Sequence, residues 1–97
     1  MRRIHWNRMA RLDYFNNISF LQENWSNKEA QNFIEEVNRL EVILSKGNID
    51  FQKTNRPRIK RCVVSKQITL FYKSLDDSNI ELLRFWNNNQ YLKRLKF

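Results

Sequence analysis

A chain of 97 residues, 41% hydrophobic and 13% aromatic, is long enough for a compact core, and we predict one domain over residues 1–97. The one cysteine, Cys62, excludes an intramolecular disulfide, and together with the one histidine, His5, it forms no ligand cluster, so neither a metal site nor a cofactor is predicted. No stretch approaches the ~20 apolar residues of a membrane span, and the start of the chain lacks the apolar segment of a signal peptide, so we expect a soluble cytoplasmic protein with no membrane partner.

The positive charge of the chain, formally +8 at neutral pH, is unevenly distributed. Residues 1–50 carry seven Lys or Arg and seven Asp or Glu, whereas residues 51–97 carry eleven basic and three acidic residues. Because such an asymmetry produces a one-sided field, it favours binding to a polyanion or to an acidic protein segment. The alternative from composition alone is a basic surface that serves only solubility.

The first elements in chain order are a short strand and a helix. The alternating run "RRIHW" predicts the strand. Residues 7–25 then change to helical spacing, with apolar positions three or four residues apart that share one stripe: Ala10, Tyr14, Ile18, Leu21 and Trp25. This stripe predicts a helix that buries one face.

A second helix follows almost without a linker. The sequence "SNKE" is a capping box, in which the Ser26 hydroxyl accepts a hydrogen bond from the Glu29 amide. The buried stripe of this helix is predicted to consist of Ala30, Phe33, Ile34, Val37, Leu40 and Leu44. Gly47, the one glycine, lies where a left-handed C-cap is expected. The short junction predicts a tight antiparallel helix hairpin.

The second half of the chain is predicted to be a loop followed by β-structure. The segment "NIDFQKTNRP", which contains the one proline, indicates a connecting loop over residues 48–57. The segments "RIKRCVV", "QITLFYKSL" and "NIELLRFW" are rich in β-branched, leucine and aromatic residues, so they predict a three-stranded antiparallel meander. With the helices buried on this sheet, the order β-α-α-β-β-β gives a two-layer α+β domain.

Four segments in this order resemble one protein family. They are the helix-hairpin sequence "ENWSNKEAQNFIEEV", the strand sequences "IKRCVVSK" and "ITLFYK", and the ending "IELLRFWNNNQ". Together they span essentially the whole chain and resemble the RelE/ParE superfamily of bacterial toxins from type II toxin-antitoxin systems. The resemblance implies a RelE/ParE-like fold and a cytoplasmic toxin that inhibits growth and serves plasmid stabilisation. It also implies a cognate antitoxin that neutralises the toxin.

The resemblance further implies one of two targets. RelE-like members cleave messenger RNA on the ribosome, whereas the ParE branch implies a poison of DNA gyrase that acts by binding alone. In this chain Thr69 and Asn89 stand where the ribonuclease branch places arginines, and Asn87 stands where the family ending is often acidic. These departures favour a ParE-like toxin without a reaction of its own. The alternative is a RelE-like, ribosome-dependent endoribonuclease.

The candidate site residues are almost all basic. If the chain is a ribonuclease, we predict Lys60, Arg61 and Arg84 as its catalytic residues. The predicted surface for the target or the antitoxin consists of Arg56, Arg58, Lys60, Arg61, Lys66, Arg84, Asn89, Lys93 and Arg94. In an extended strand Arg58 and Lys60 point to one side and Arg61 to the other, so these residues predict a basic rim and not one flat patch.

Arg84 is unusual because it interrupts an apolar series. In an alternating strand it shares a face with Ile80, Leu82 and Trp86, which is otherwise apolar. A charge there must be paired or must reach a cleft, which leaves open a functional arginine and one whose stem packs while its head reaches water. The remaining polar candidates, expected to serve packing or structure and not catalysis, are His5, Tyr72 and Tyr91.

A third hypothesis is a toxin that has lost its activity and remains a binding module, because Asn89 replaces the expected arginine. In that case the complex with the antitoxin acts on operator DNA, and Asn89→Arg restores toxicity. Across the three hypotheses the predicted partners are the antitoxin, operator DNA reached through the antitoxin, and either DNA gyrase or the ribosome with its messenger as the target.

Overall fold

The computed structural model describes residues 1–47, 51–90 and 92–97. The elements in chain order are β1 (Arg3–Trp6), α1 (Arg8–Asn24), α2 (Asn27–Lys46), β2 (Gln52–Lys53), β3 (Ile59–Val63), β4 (Ile68–Asp76), β5 (Asn79–Asn87) and a short 3₁₀ helix (Leu92–Arg94). The predicted α+β class is confirmed. Along the chain, both helices follow β1 and precede the other four strands.

The five strands form one mixed sheet in the order β1-β5-β4-β3-β2. β1 pairs with β5 in parallel, and the other neighbours are antiparallel. The prediction of a loop over residues 48–57 was incomplete, because Gln52 and Lys53 pair with Arg61 and Lys60 and add a fifth, edge strand. Residues 48–50 of that predicted loop lie outside the described residues. β2 consists of two exposed polar residues, so it has no hydrophobic alternation from which a strand could be predicted.

Local side-chain chemistry sets the ends of both helices. The Asn7 side chain caps α1 by accepting a hydrogen bond from the Ala10 amide (2.8 Å), and the Ser26 hydroxyl caps α2 by accepting one from the Glu29 amide (3.1 Å). Gly47 ends α2 in the left-handed region with φ of 72°, as predicted. In the described ranges, neither helix is both long and apolar enough to span a bilayer.

The two helices cover one face of the sheet, which we call the helix face. Its core combines apolar side chains of both helices with inward-facing residues of β3, β4 and β5: Ala10, Leu21, Ala30, Phe33, Val37, Leu40, Leu44, Cys62, Val64, Ile68, Leu70, Tyr72, Ile80, Leu82 and Phe85. Trp25 does not belong to this core, contrary to the predicted stripe, and is 58% exposed. The reason is that α1 ends at Asn24 and the Trp25 backbone leaves the helical path (φ −127°, ψ −91°).

An extra residue in β5 changes which side chains reach the helix face. Tyr72 pairs with Leu82 and Phe71 pairs with Arg84, so Leu83 has no partner in β4 and forms a β-bulge. Because a bulge shifts the alternation by one residue, Arg84 shares a face with its partner Phe71 and not with Leu82. The predicted placement of Arg84 was therefore wrong for Ile80 and Leu82 and right for Trp86, which lies on the same face as Phe71.

Candidate functional site

The opposite side of the sheet, which we call the second face, carries a smaller apolar cluster. Phe71, Leu83 and Trp86 form this cluster and are at most 6% exposed, and Ile59 and Leu95 pack against it. Leu95 comes from residues 92–97, which we call the end segment. Two helices thus cover the helix face, whereas a few residues of chain cover the second face.

The contacts of the end segment include ring contacts and a hydrogen bond. The Phe97 ring lies against the Phe71 ring with centroids 5.2 Å apart, and the Arg56 guanidinium lies 5.1 Å from the Phe97 centroid. Arg84 donates from Nη1 to the main-chain carbonyl of Lys96 at 2.9 Å. Apolar side chains and the backbone of the segment therefore both contribute to its position.

Beside the end segment lies a solvent-open groove of about 420 Å³, which we call the basic groove. Its lining residues are Lys53, Thr54, Asn55, Arg56, Arg61, Phe71, Leu92, Leu95 and Phe97. Three of these described lining residues are cationic and two are aromatic, whereas none is an acid or a histidine. Such a lining suits a ligand that carries negative charge and apolar or planar groups.

The sheet register decides which predicted catalytic residues meet. Arg61 on β3 and Arg84 on β5 are both cross-strand partners of Phe71, so the three side chains form one row across the second face. Lys60 is the partner of Tyr72, which belongs to the core of the helix face. The structure therefore brings together Arg61 and Arg84 and places Lys60 on the other side of the sheet.

The Arg84 guanidinium is bound on several sides. Its Nε and Nη2 donate to the two carboxylate oxygens of Asp13 on α1, at 2.6 and 3.1 Å. The guanidinium also lies 5.2 Å from the Trp86 ring centroid, and the side chain is 11% exposed. The sequence required this charge to be paired or to reach a cleft, and the geometry shows the first: Arg84 is a buried arginine paired with a carboxylate from another element, and its head does not extend into water.

Asp13 also binds the backbone of β5 at the edge of that strand. β1 pairs with β5 only as far as Leu82, so none of the described strands lies beside the backbone of Phe85 on that side. Asp13 accepts a hydrogen bond from the Phe85 amide (3.1 Å), and Asn17, one turn later, donates to the Phe85 carbonyl (2.9 Å). These two α1 side chains replace a neighbouring strand and satisfy the buried backbone.

The run of amides after β5 builds a turn. The Asn87 side chain accepts from the Asn89 amide at 2.9 Å, and the Asn88 side chain accepts from the Thr69 hydroxyl at 3.0 Å. The Asn88 amide also donates to the Gln67 carbonyl at 2.6 Å. Asn87 therefore closes the turn after β5, and Asn88 fastens that turn to β4 and to the β3–β4 turn, whereas the Asn89 side chain is exposed. Tyr91 lies outside the described residues.

The other predicted binding residues are spread over the surface. Lys66 is exposed in the β3–β4 turn, and Lys93 and Arg94 are exposed on the 3₁₀ helix. Arg58 has a φ of 69°, in the left-handed region that favours glycine, so it does not continue the extended run assumed from the sequence. Of the nine predicted binding residues, Arg56 and Arg61 line the basic groove.

Sequence reasoning did not select seven of the nine lining residues, and three of these seven, Lys53, Phe71 and Phe97, supply a positive charge or an aromatic ring. Lys53 was assigned to a loop, and Phe71 lies within a continuous apolar strand sequence whose facing was not readable. The one available signal was the clustering of Phe97 with Lys93, Arg94 and Lys96 at the end of the sequence, because an aromatic residue among cations suits an anionic partner.

The titratable groups commonly used for acid-base chemistry lie elsewhere. His5 is on β1, at the far edge of the sheet from β2, and its Nε2 lies 2.7 Å from Asn79 Oδ1. Cys62 faces the helices, where burial and then the neighbouring Glu36 charge raise the pKa of its thiol to about 12. Within the described residues, no His, Cys, Asp or Glu side chains are grouped so that they could hold a metal ion.

Comparisons with known proteins identify the fold. The sequence matches no known family profile and no curated protein. The structure is similar to that of the chromosomal ParDE toxin-antitoxin system of P. aeruginosa, with a TM-score of 0.69, 15% identity, and coverage of 90% of this chain and 96% of that one. It is also similar to the DinJ-YafQ complex of E. coli, with a TM-score of 0.61, 13% identity, and coverage of 92% of this chain and 96% of that one. For the YoeB dimer of Staphylococcus aureus the TM-score is 0.55 and the identity 16%, with coverage of 87% of this chain and 93% of that one. The chain thus has the fold of these toxin structures, which confirms the predicted RelE/ParE-like fold.

Proposed function

We propose that this chain is the toxin of a type II toxin-antitoxin pair, that it inhibits growth by binding DNA gyrase, and that a cognate antitoxin neutralises it. The observation that carries the proposal is the chemistry of the basic groove, which combines cations with aromatic rings and has no acid or histidine among its described lining residues. A surface of this kind binds a partner but offers no group that exchanges a proton readily near neutral pH.

The toxin class itself is supported by the fold. Similarity to ParDE, DinJ-YafQ and YoeB structures extends over about nine-tenths of this chain in each case. The same sheet with a hairpin of helices on one face is therefore retained, and the second face is left for binding. Which target is bound depends on side chains, and these differ at most positions from those of the similar structures.

A second candidate is a ribosome-dependent endoribonuclease, and the row formed by Arg61, Phe71 and Arg84 favours it. Arginines can neutralise a phosphate, and an aromatic ring can stack on a base. Two features oppose it. Lys60 lies on the other side of the sheet, and the Arg84 guanidinium is already bound by Asp13 and by the Lys96 carbonyl.

The deciding experiment measures the uptake of labelled thymidine and of labelled leucine in bacteria during the first minutes after induction without antitoxin. We expect thymidine uptake to fall first, as it does when DNA synthesis is the primary target. An early fall in leucine uptake, with cleavage of ribosome-bound message by the purified protein, would instead establish the ribonuclease. Arg61→Ala should weaken the effect on growth, and Lys60→Ala is its matched control from the opposite face of the same strand.

A separate experiment tests whether the unchanged chain is toxic. Asn89 is exposed in the turn after β5, so Asn89→Arg can be introduced without disturbing the core. We expect the unchanged chain to arrest growth. If the unchanged chain is inert and Asn89→Arg arrests growth, the chain is a binding module that has lost its toxicity.

A further inference from the structure

We propose that the outer face of α1, defined by the exposed residues Arg8, Leu12, Phe15, Ser19 and Glu23, binds the same face of a second copy of this chain, with the two helices antiparallel. α1 packs on the helix face of the sheet, so this surface is separate from the basic groove, and the pairing does not depend on the proposed function. Apolar exposure, the positions of two charges and the symmetry of the helix support it, in that order.

The centre of the outer face is apolar. The five defining residues follow one another at intervals of four, three, four and four along the sequence, so they share one side of the helix. At the centre of this side, Leu12 is 47% exposed and Phe15 is 65% exposed. α2, which is described throughout, has one exposed large apolar residue, Val42. The exposure of neighbouring apolar side chains therefore distinguishes α1 and favours a partner on this face.

The charges of α1 oppose the dipole of the helix. Arg8 and Arg11 lie in its first turn, which has no acidic residue, and Glu23 lies in its last turn, which has no basic one. A helix is stabilised by the opposite arrangement, which α2 has with Glu29 in its first turn and Lys46 in its last. Within the described part of the chain, neither Arg8 nor Glu23 forms an ion pair. A single copy therefore offers no stabilising partner for these two charges.

An antiparallel second copy supplies a partner for both charges. The first turn of each helix then lies beside the last turn of the other, so Arg8 of one copy meets Glu23 of the other copy at both ends of the pair. Each of these charges also lies beside the favourable end of the other helix dipole. The point midway between positions 8 and 23 falls beside Phe15, so the Phe15 side chains of the two copies meet near the two-fold axis.

The length of α1 predicts a weak dimer. Its 17 residues give a contact about 26 Å long at a rise of about 1.5 Å per residue. One helix pair of this length buries on the order of 1,000 Å² in total, which is at the lower limit for a specific interface. The dimer should therefore dissociate on dilution.

Sedimentation equilibrium of the full chain over an approximately hundredfold range of concentration tests the pairing. We expect the unchanged chain to pass from monomer to dimer as its concentration rises. Arg8→Glu and Glu23→Arg each bring like charges together at both ends of the pair, so each should weaken self-association at least about tenfold at low salt. Arg8→Glu also lowers the net positive charge of the chain, so a general charge effect would strengthen its self-association instead.

Two combinations of these variants test the antiparallel arrangement. An equal mixture of the Arg8→Glu chain and the Glu23→Arg chain places one acid and one base at each end, so the mixture should dimerise about as tightly as the unchanged chain. The double variant Arg8→Glu, Glu23→Arg exchanges the two charges and should restore self-association. If neither combination associates more tightly than the single variants, the antiparallel pairing is wrong.

A third variant tests the apolar centre of the interface. Phe15→Ser should weaken self-association at least about tenfold, because it removes the apolar side chain nearest the two-fold axis. Val42→Ser, at the exposed valine of α2, is the matched control and should leave self-association unchanged. Equal effects of the two substitutions would place the interface elsewhere. A chain that stays monomeric at the highest concentration would overturn the inference and leave the outer face of α1 to a partner of different sequence.

Discussion

The two faces of the sheet are built in different ways. The helix face is filled by side chains of two capped helices, and most of its core residues are no more than 2% exposed. The second face has three buried apolar residues, a cover of six residues and a groove of cations. The difference indicates that the free energy of folding resides mainly on the helix face, which leaves the second face available for binding.

One buried ion pair connects the two faces. Asp13 belongs to α1, which packs on the helix face, whereas its partner Arg84 lies in the row of the second face and binds the end segment. The same carboxylate caps the Phe85 amide at the open edge of β5. A change at Asp13 should therefore affect stability and the end segment together, unlike a change confined to either face.

The largest effect is expected from truncation in the core of the helix face. Phe33 is 1% exposed and contacts Tyr14 and Phe85, so Phe33→Ala should lower the free energy of unfolding by about 4 kcal/mol, as measured by urea denaturation. Phe15→Ala on the outer side of α1 is the matched control, because Phe15 is 65% exposed. Similar losses for both variants would contradict the assignment of the core to this face.

The next largest effect is expected from removal of the ion pair. Asp13→Ala leaves the Arg84 guanidinium without its carboxylate and the Phe85 amide without an acceptor, so we expect a loss of about 3 kcal/mol. Asp77→Ala, at an exposed carboxylate in the β4–β5 turn, should change stability by less than about 0.5 kcal/mol. If Asp13→Ala lowers the free energy of unfolding no more than Asp77→Ala does, the ion pair does not stabilise the packing between the two faces.

An effect of pH is expected from the buried thiol of the helix face. Burial raises the pKa of Cys62 from its ordinary value of 9.0 to about 12, so the folded chain retains a proton that the unfolded chain releases. This contribution to stability is complete below pH 9.0 and is lost as pH rises through about 12. Relative to Cys62→Ala, the unchanged chain should lose up to about 1.4 kcal/mol per pH unit in that window. Parallel stability curves for the two proteins above pH 9.0 would refute the shift.

The smallest effect on stability is expected from the cover of the second face. Phe97 is 40% exposed and its ring touches Phe71, so Phe97→Ala should cost less than about 1 kcal/mol in urea denaturation. Leu92→Ala, at a more exposed position of the same segment, should cost still less. A loss comparable to that of Phe33→Ala would mean that the end segment is part of the folding core, and the contrast between the faces would fail.

Much of the fold was predictable because its signals are local. The cap at Ser26, the C-cap at Gly47 and the buried stripe of α2 each depend on residues within a few positions of one another, and the structure confirms them except for Ile34, which is only partly buried. The strand sequences after Pro57 were recognisable in the same way. The alternation of helix and strand signals was enough to give the α+β class.

The candidate site was less predictable because it depends on register. The choice of Arg61 and Arg56 as binding residues came from charge alone, whereas their meeting with Lys53, Phe71 and Phe97 follows from pairing between strands and from the position of the end segment. The bulge at Leu83 lies in a nearly continuous apolar run, so no alternation in the sequence marked where the facing of β5 changes.

The sequence by itself determined both helices, four of the five strands, the caps of α2 and the excess of positive charge in the second half, since each of these follows from neighbouring residues or from composition. Strand alternation already placed Lys60 and Arg61 on opposite sides, but only the tertiary structure decided which of the two faces the helices and that Arg84 pairs with Asp13, 71 residues away. The physical reason is that periodicity is set within a few residues, whereas the partner of a buried charge is set by the packing of distant elements.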